Sequence, residues 1–159
     1  MKKLLLVILF AAVLVCGLSG CSGKQEAPVA DIADIIKKVE AVIGFDTYYM
    51  TKANEELVFK YIEINKSSLT DYVIKLSIGV TQNEYGVLIA EKGHEKEVEN
   101  AVLAYLKFRK EAWDSTYLQE EGFKIENAKC ERQGRYVFYA IGCENFDEVV
   151  AIFKELRKG

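Results

Sequence analysis

The sequence predicts an α+β fold: a four-stranded antiparallel sheet of duplicated ββα units, helices packed on one face, and an N-terminal signal helix ahead of it. Three observations predict it. Apolar residues first recur every three or four positions, as on a helix, then switch near residue 74 to every second position, as on a half-buried strand. Two stretches, 85–106 and 136–156, align at an offset of 51 and match Glu97 with Glu148, Val98 with Val149 and His94 with Asn145. An apolar run, Leu4 to Val15, follows the cationic head Met1-Lys2-Lys3 and precedes the small residues Gly17, Ser19 and Gly20. That is the order of a secretory signal. The run is shorter than the roughly 20 residues a spanning helix needs.

The 159 residues suffice for one domain, assigned to 29–159, after a signal peptide at 1–20 and a flexible tether at 21–28. At about 3.3 Å per residue the tether reaches at most roughly 25 Å. From Val29, the positions Ile32, Ile35, Ile36, Val39, Val42 and Ile43 describe an amphipathic helix that Gly44 ends. A second helix is predicted over Lys52 to Ile62, with Thr51 as N-cap and Leu57 and Tyr61 facing inward. In "DYVIKLSIGVTQ", Ile74, Leu76, Ile78 and Val80 alternate with Lys75, Ser77, Gly79 and Thr81, and "YGVLIAEK" returns antiparallel. A long helix over Glu95 to Trp113 turns Val98, Ala101, Val102, Tyr105, Phe108 and Ala112 inward. Phe123 to Arg132 and Arg135 to Gly142 form a second hairpin. A helix over Phe146 to Arg157 closes the chain, with Asn145 and Glu148 as a capping box.

Leu18-Ser19-Gly20-Cys21 resembles the lipobox of bacterial lipoproteins. The resemblance implies cleavage between Gly20 and Cys21, lipid on the Cys21 thiol and acylation of the new amino terminus. Two or three acyl chains anchor stably where one is marginal. Cys16 would leave with the signal, so Cys16 and Cys21 are no redox or metal pair. The expected place is the extracytoplasmic face of the cell membrane, with the bilayer as partner through acylated Cys21. "DYVIKLS", "YGVLIAEKGHEKEVENAVLAYLKFRKEAW" and "RYVFYAIGCENFDEVVAIFKEL" resemble a family of small bacterial lipoproteins known as domain of unknown function 4358. The likeness spans about residues 50 to 157 and implies localisation and an α+β architecture, with no activity, cofactor or catalytic residue to carry over.

Charge excludes one class of partner. The formal charge is −3, and −5 once Lys2 and Lys3 leave with the signal. Without a Lys/Arg run, nucleic acid is a poor partner, because phosphate neutralisation needs clustered cations. A basic patch against anionic lipid is unexpected for the same reason. The one histidine, His94, opens the long helix and reads as a cap or surface residue; no HxxxH or CxxC spacing suggests a metal. No GxSxG, GxGxxG or GxxxxGK[ST] occurs, so neither a cofactor nor a catalytic residue is expected. Glu55-Glu56 and Glu120-Glu121 read as solvated faces.

A turn at Gln133-Gly134 sets Cys130 opposite Val137 and Cys143 opposite Lys124, on one sheet face but roughly 20 Å apart. A disulfide needs Cα atoms within about 7 Å, so two buried free thiols are expected beside Val137, Tyr139 and Ile141. The other side of that hairpin carries Tyr136 and Phe138 with Asn127 and Lys129. If no helix covers it, it is a candidate interaction surface. The blander and preferred alternative has the two aromatics covering each other or lying beneath an N-terminal helix. Trp113 and Tyr117 read as core edge. The function expected is a non-enzymatic, membrane-tethered module binding an unknown envelope protein or component. The alternative is a small envelope enzyme or enzyme inhibitor acting near the membrane.

Overall fold

The computed structural model describes residues 29–114 and 116–158. The signal helix, the tether, Gly20 and Cys21 lie outside the described residues. Helix α1 (Ile32–Glu40) is followed by β1 (Met50–Lys52), α2 (Glu55–Tyr61), a short 3₁₀ turn (Lys66–Ser68), β2 (Leu69–Ser77), β3 (Glu84–Ala90), α3 (Glu95–Ala112), α4 (Gln119–Glu126), β4 (Lys129–Gln133), β5 (Tyr136–Ile141) and α5 (Phe146–Leu156). The strands form one antiparallel sheet in the order β1-β2-β3-β5-β4. The α+β class and the antiparallel sheet agree with the sequence reading, but the strands number five. The fifth, β1, pairs Met50 with Ser77 and Lys52 with Lys75, and takes in Thr51 and Lys52, expected as the N-cap and first residue of the second helix. At three residues it is too short to leave a periodicity.

The helices cover both faces rather than one. Leu88 and Ala90 of β3 pack with Val98, Val102, Tyr105 and Leu106 of α3, Ile125 of α4 and Val58 of α2. Tyr85, Val87 and Ile89 of the same strand pack on the opposite face with Ile35, Ile36 and Val39 of α1 and Phe146, Val149 and Phe153 of α5. Consequently every residue of β3 and β5 is buried, as a strand between two layers requires. The repeat is visible in the hairpins: Val87 pairs directly with Phe138, its own counterpart at the offset of 51. An exchange axis through that pair is normal to the sheet and would keep helices on one side. Yet α3 and α5 occupy opposite sides, so the duplication does not extend to the helices.

Local chemistry explains most boundaries. Asp31 caps α1 by accepting from the Ala33 amide at 2.7 Å. Helix α2 starts at Glu55, and Tyr61, expected inside, is half exposed while Val58 and Ile62 are buried. Strand β2 ends at Ser77, so Ile78 and Val80 leave the alternation and stand in solvent. Phe108 of α3 is exposed, and Leu106 takes the inner position. Phe123 to Glu126, expected as strand, belongs to α4: Glu120 and Glu121 suit a helix N-terminus, and Gly122 packs so closely on Trp113 that an added Cβ would lie 2.6 Å from Nε1. Asn145 forms no capping bond at α5. Its Nδ2 donates instead to the Val42 carbonyl at 2.9 Å, tying the end of α1 to the start of α5.

Candidate functional site

Tyr136 and Phe138 do not form a surface. They are 6% and 1% exposed, on the face that N-terminal α1 and C-terminal α5 cover together: the Phe153 ring lies 5.8 and 5.6 Å from them, and Phe146 is 5.1 Å from Phe138. The Ala30 amide donates to the Tyr136 hydroxyl at 3.1 Å. Asn127 and Lys129 are exposed but serve locally, Asn127 donating to the Phe123 carbonyl at 2.8 Å and Lys129 sitting over the Phe146 ring at 5.5 Å. The hairpin register pairs Cys130 with Tyr139, not Val137, and puts Lys124 on a helix. Both cysteines are free thiols, Cys130 beside Val137, Tyr139 and Ile141 as expected. Cys143 is on the opposite face, its thiol donating to the Ile43 carbonyl. The left-handed Gly142 (φ +76°) ends the strand alternation before Cys143 is reached. His94 is an exposed residue at the head of α3, its Nδ1 2.7 Å from Glu97, and no cluster of three metal-ligating side chains occurs among the described residues.

A polar cluster missed in sequence sits at the start of β3. Glu84 is 1% exposed and accepts from the hydroxyls of Tyr105 (2.8 Å) and Tyr139 (2.7 Å) and from the Arg109 guanidinium. Arg109 also donates to Tyr105 and, at 3.0 Å, to Gln82 Oε1. Burial, then the Glu84 charge, pushes the Tyr139 and Tyr105 hydroxyls above their ordinary range, keeping them protonated donors. Gly86 makes room for the Tyr139 ring, since a Cβ there would stand 2.2 Å from Cε1. Across the sheet, Glu40 does the same for the other face, accepting from the Tyr85 hydroxyl at 2.6 Å and from Lys75. Buried with these three partners, Glu84 is a bracing group for this end of the sheet.

What the bracing holds is the β2–β3 loop, residues 78–83. Gln82 is gripped from both sides, its side chain by Arg109 and its amide by Glu121 of α4 at 2.7 Å. Lys124 donates to Glu121 (2.8 Å) and to Thr81 (3.3 Å). Burial of Glu121 is outweighed by these bonds, which hold its carboxyl below the usual range, so it stays charged at neutral pH. The loop's tip carries Ile78 and Val80, 65% and 67% exposed, around left-handed Gly79. Tyr48 and Tyr49 adjoin the tip, because the Ile78 amide bonds the Tyr49 carbonyl at 3.0 Å. On its other side lies α4, bringing exposed Leu118 and Phe123, with Tyr117 just before it. Of the ten large apolar side chains exposed among the described residues, these seven share one end of the sheet. Tyr61 and Phe108 flank a separate groove of about 300 Å³ between α2 and α3, floored by Tyr105.

Residues 44–142, well over half of the chain, match the family model described as Domain of unknown function (DUF4358). The chain belongs to the DUF4358 family. No curated protein and no solved structure matches it. The DUF4358 stretch holds all five strands, α2, α3 and α4, the Glu84 cluster and all seven exposed apolar residues of the sheet end. Helices α1 and α5, which cover the second face, flank it.

Proposed function

We propose that this protein is a membrane-anchored extracytoplasmic lipoprotein, held by lipid on Cys21, whose domain is a non-enzymatic module for binding a protein or other component of the cell envelope. The observation that carries the binding reading is the apolar end of the sheet. Exposed apolar side chains are ordinary when scattered and informative when contiguous. Here Ile78 and Val80 sit on a loop that Arg109 and Glu121 hold at Gln82, and Tyr49 adjoins it through the Ile78–Tyr49 backbone bond, so little ordering cost remains when a partner arrives.

The anchor reading rests on the lipobox and the short tether, and the fold is compatible with it. The described chain starts beside the β4–β5 turn, where Val29 lies against Gly134 and Tyr136. Tyr136 is opposite Ile89, whereas Glu84 is opposite Ile141 at the other end of the strands. The apolar end is thus about 20 Å from the start of the described chain, at roughly 3.4 Å per residue. A photo-activatable residue at Val80 tests the module in cells. Cross-links to a polypeptide or envelope polymer are expected from Val80 and not from Leu103 on the outer side of α3. Equal cross-linking from both, or from neither, would overturn the binding reading. Mass analysis of the mature N-terminus tests the anchor: an unmodified Cys21 or an uncleaved chain removes it.

A further inference from the structure

We infer that the apolar end of the sheet docks a cationic, apolar polypeptide segment of a partner, presented on the side of the domain away from the bilayer. The inference deepens the binding reading above and rests on it. The three segments forming the patch, residues 44–51, 77–83 and 113–123, contain Asp46, Asp114, Glu120 and Glu121 and neither lysine nor arginine. Of the cations bordering these segments, Lys124 bonds Glu121 at 2.8 Å and Arg109 is bound to Glu84 and Gln82, while Lys52 is exposed further along β1, opposite Lys75. Asp46, Asp114 and Glu120 form no ion pair among the described residues and are exposed. Asp46 accepts only from the Tyr48 amide, and Asp114 from Thr116, which holds its carboxyl below the ordinary range.

An apolar centre with a carboxylate rim selects among occupants. Anionic headgroups would be repelled by the rim, and the patch lies at the end of the sheet opposite Val29. A second copy would bring the same carboxylates against themselves, the like-charge arrangement that interfaces avoid. A segment alternating basic and apolar residues satisfies both parts, its apolar side chains burying against Tyr49 and Val80 while its cations meet Asp46 and Glu120.

The experiment uses the full chain and three fluorescent twelve-residue peptides: alternating Lys and Leu, alternating Glu and Leu, and alternating Lys and Ser. The Lys–Leu peptide is expected to bind at least tenfold tighter than the other two. Y49S/V80S should weaken it at least tenfold, D46K/E120K several-fold with a flatter salt dependence, and the distant L103S not at all. All these positions are solvent-exposed, so folding is kept. Equal affinity for the Glu–Leu peptide, or equal loss in L103S and Y49S/V80S, overturns the inference. So does Y49S/V80S abolishing binding to vesicles of phosphatidylcholine and phosphatidylglycerol, or self-association in sedimentation, while Lys–Leu binding is unaffected. Cross-links from Val80 in cells combined with failure of the Lys–Leu peptide would leave the module standing and remove the cationic partner.

Discussion

Replacing Glu84 by Gln keeps the side chain's size and deletes its charge, which separates the bracing cluster from simple packing. Glu84 is 1% exposed and receives two tyrosine hydroxyls and Arg109. Removing one partner of a buried pair costs about 3–5 kcal/mol, chiefly because the other charge stays desolvated. Arg109 retains 21% side-chain exposure and keeps Gln82 and Tyr105 as partners, which favours the lower bound. The expected loss is about 3 kcal/mol, roughly a hundredfold in the folded-to-unfolded ratio. With a urea slope of about 2 kcal/mol/M, the unfolding midpoint falls by about 1.5 M.

A double-mutant cycle makes the assignment specific. E84Q/R109M removes both charges, so its cost should fall short of the sum of the singles by about 1–3 kcal/mol. Hydrogen exchange supplies a local readout. With Glu84 neutral, Arg109 loses its strongest tether and its hold on Gln82, so amides of residues 78–83 should exchange faster. Strictly additive costs, a loss from E84Q below about 1 kcal/mol, or unchanged exchange in the loop would refute the claim that Glu84 braces the display end.

Phe138→Ala, which empties the space between Phe146 and Phe153, should cost about 3–5 kcal/mol in the same unfolding assay. Gly86→Ala, forcing a methyl into the Tyr139 ring, should cost about 1–3 kcal/mol or more, and a neutral result would show that the ring moves freely. Burial raises the Cys130 and Cys143 thiols from 9.0 to about 12 and about 11, so native alkylation at pH 8 should be slow and complete only on unfolding. Because the folded values are raised, the neutral thiols' contribution to stability is intact below about pH 8.5. It drains as pH rises toward those values, which alkaline urea titrations of the Cys→Ala variants would follow. A fragment of residues 44–142 lacks α1 and α5 and bares Tyr85, Val87, Phe138 and their neighbours; it should aggregate, whereas 29–158 should remain monomeric in gel filtration.

The legible parts of the fold were those with a long period. Helices α1, α3 and α5 and strands β2, β3 and β5 each carry enough apolar repeats to outweigh local noise. Phe123 and Ile125 have the two-residue spacing of a strand, yet on α4 they point to opposite sides, Ile125 buried and Phe123 exposed; Gly122 meeting Trp113, a contact made in three dimensions, adds to Glu120 and Glu121 in favour of helix. One available signal was read too narrowly: Gly86 to Ala90 and Tyr136 to Ile141 contain no charged residue, and a strand without a polar side is covered twice. Reading them as half-buried turned Tyr136 and Phe138 into a candidate surface. The Glu84 cluster was legible only in part. Tyr105 and Arg109 are four apart on a helix, a visible pair, but Tyr139 enters through strand register, 55 residues from Glu84.

Double coverage also explains why exposed apolar side chains gather at the end of the sheet. Its two faces are spent on core. Its edges offer little to an incoming strand: β1 is three residues long, and β4 exposes Lys129, Glu131 and Arg132, charges that discourage strand addition. Two ends remain, and they differ. At the β4–β5 turn Val29 and Ala30 pack beside Gly134 and Tyr136, and no comparable set of exposed apolar side chains lies there among the described residues. At the other end, Glu40 of α1 accepts from Tyr85 and Lys75 of the strands on one face, and Glu84 of β3 accepts from Tyr105 and Arg109 of α3 on the other, which ties both helices to the sheet beside the 78–83 loop. Buried charge is a costly way to stabilise a small domain. Placed under an exposed apolar loop, it yields what the core alone would not: a fixed geometry for side chains that solvent does not hold in place.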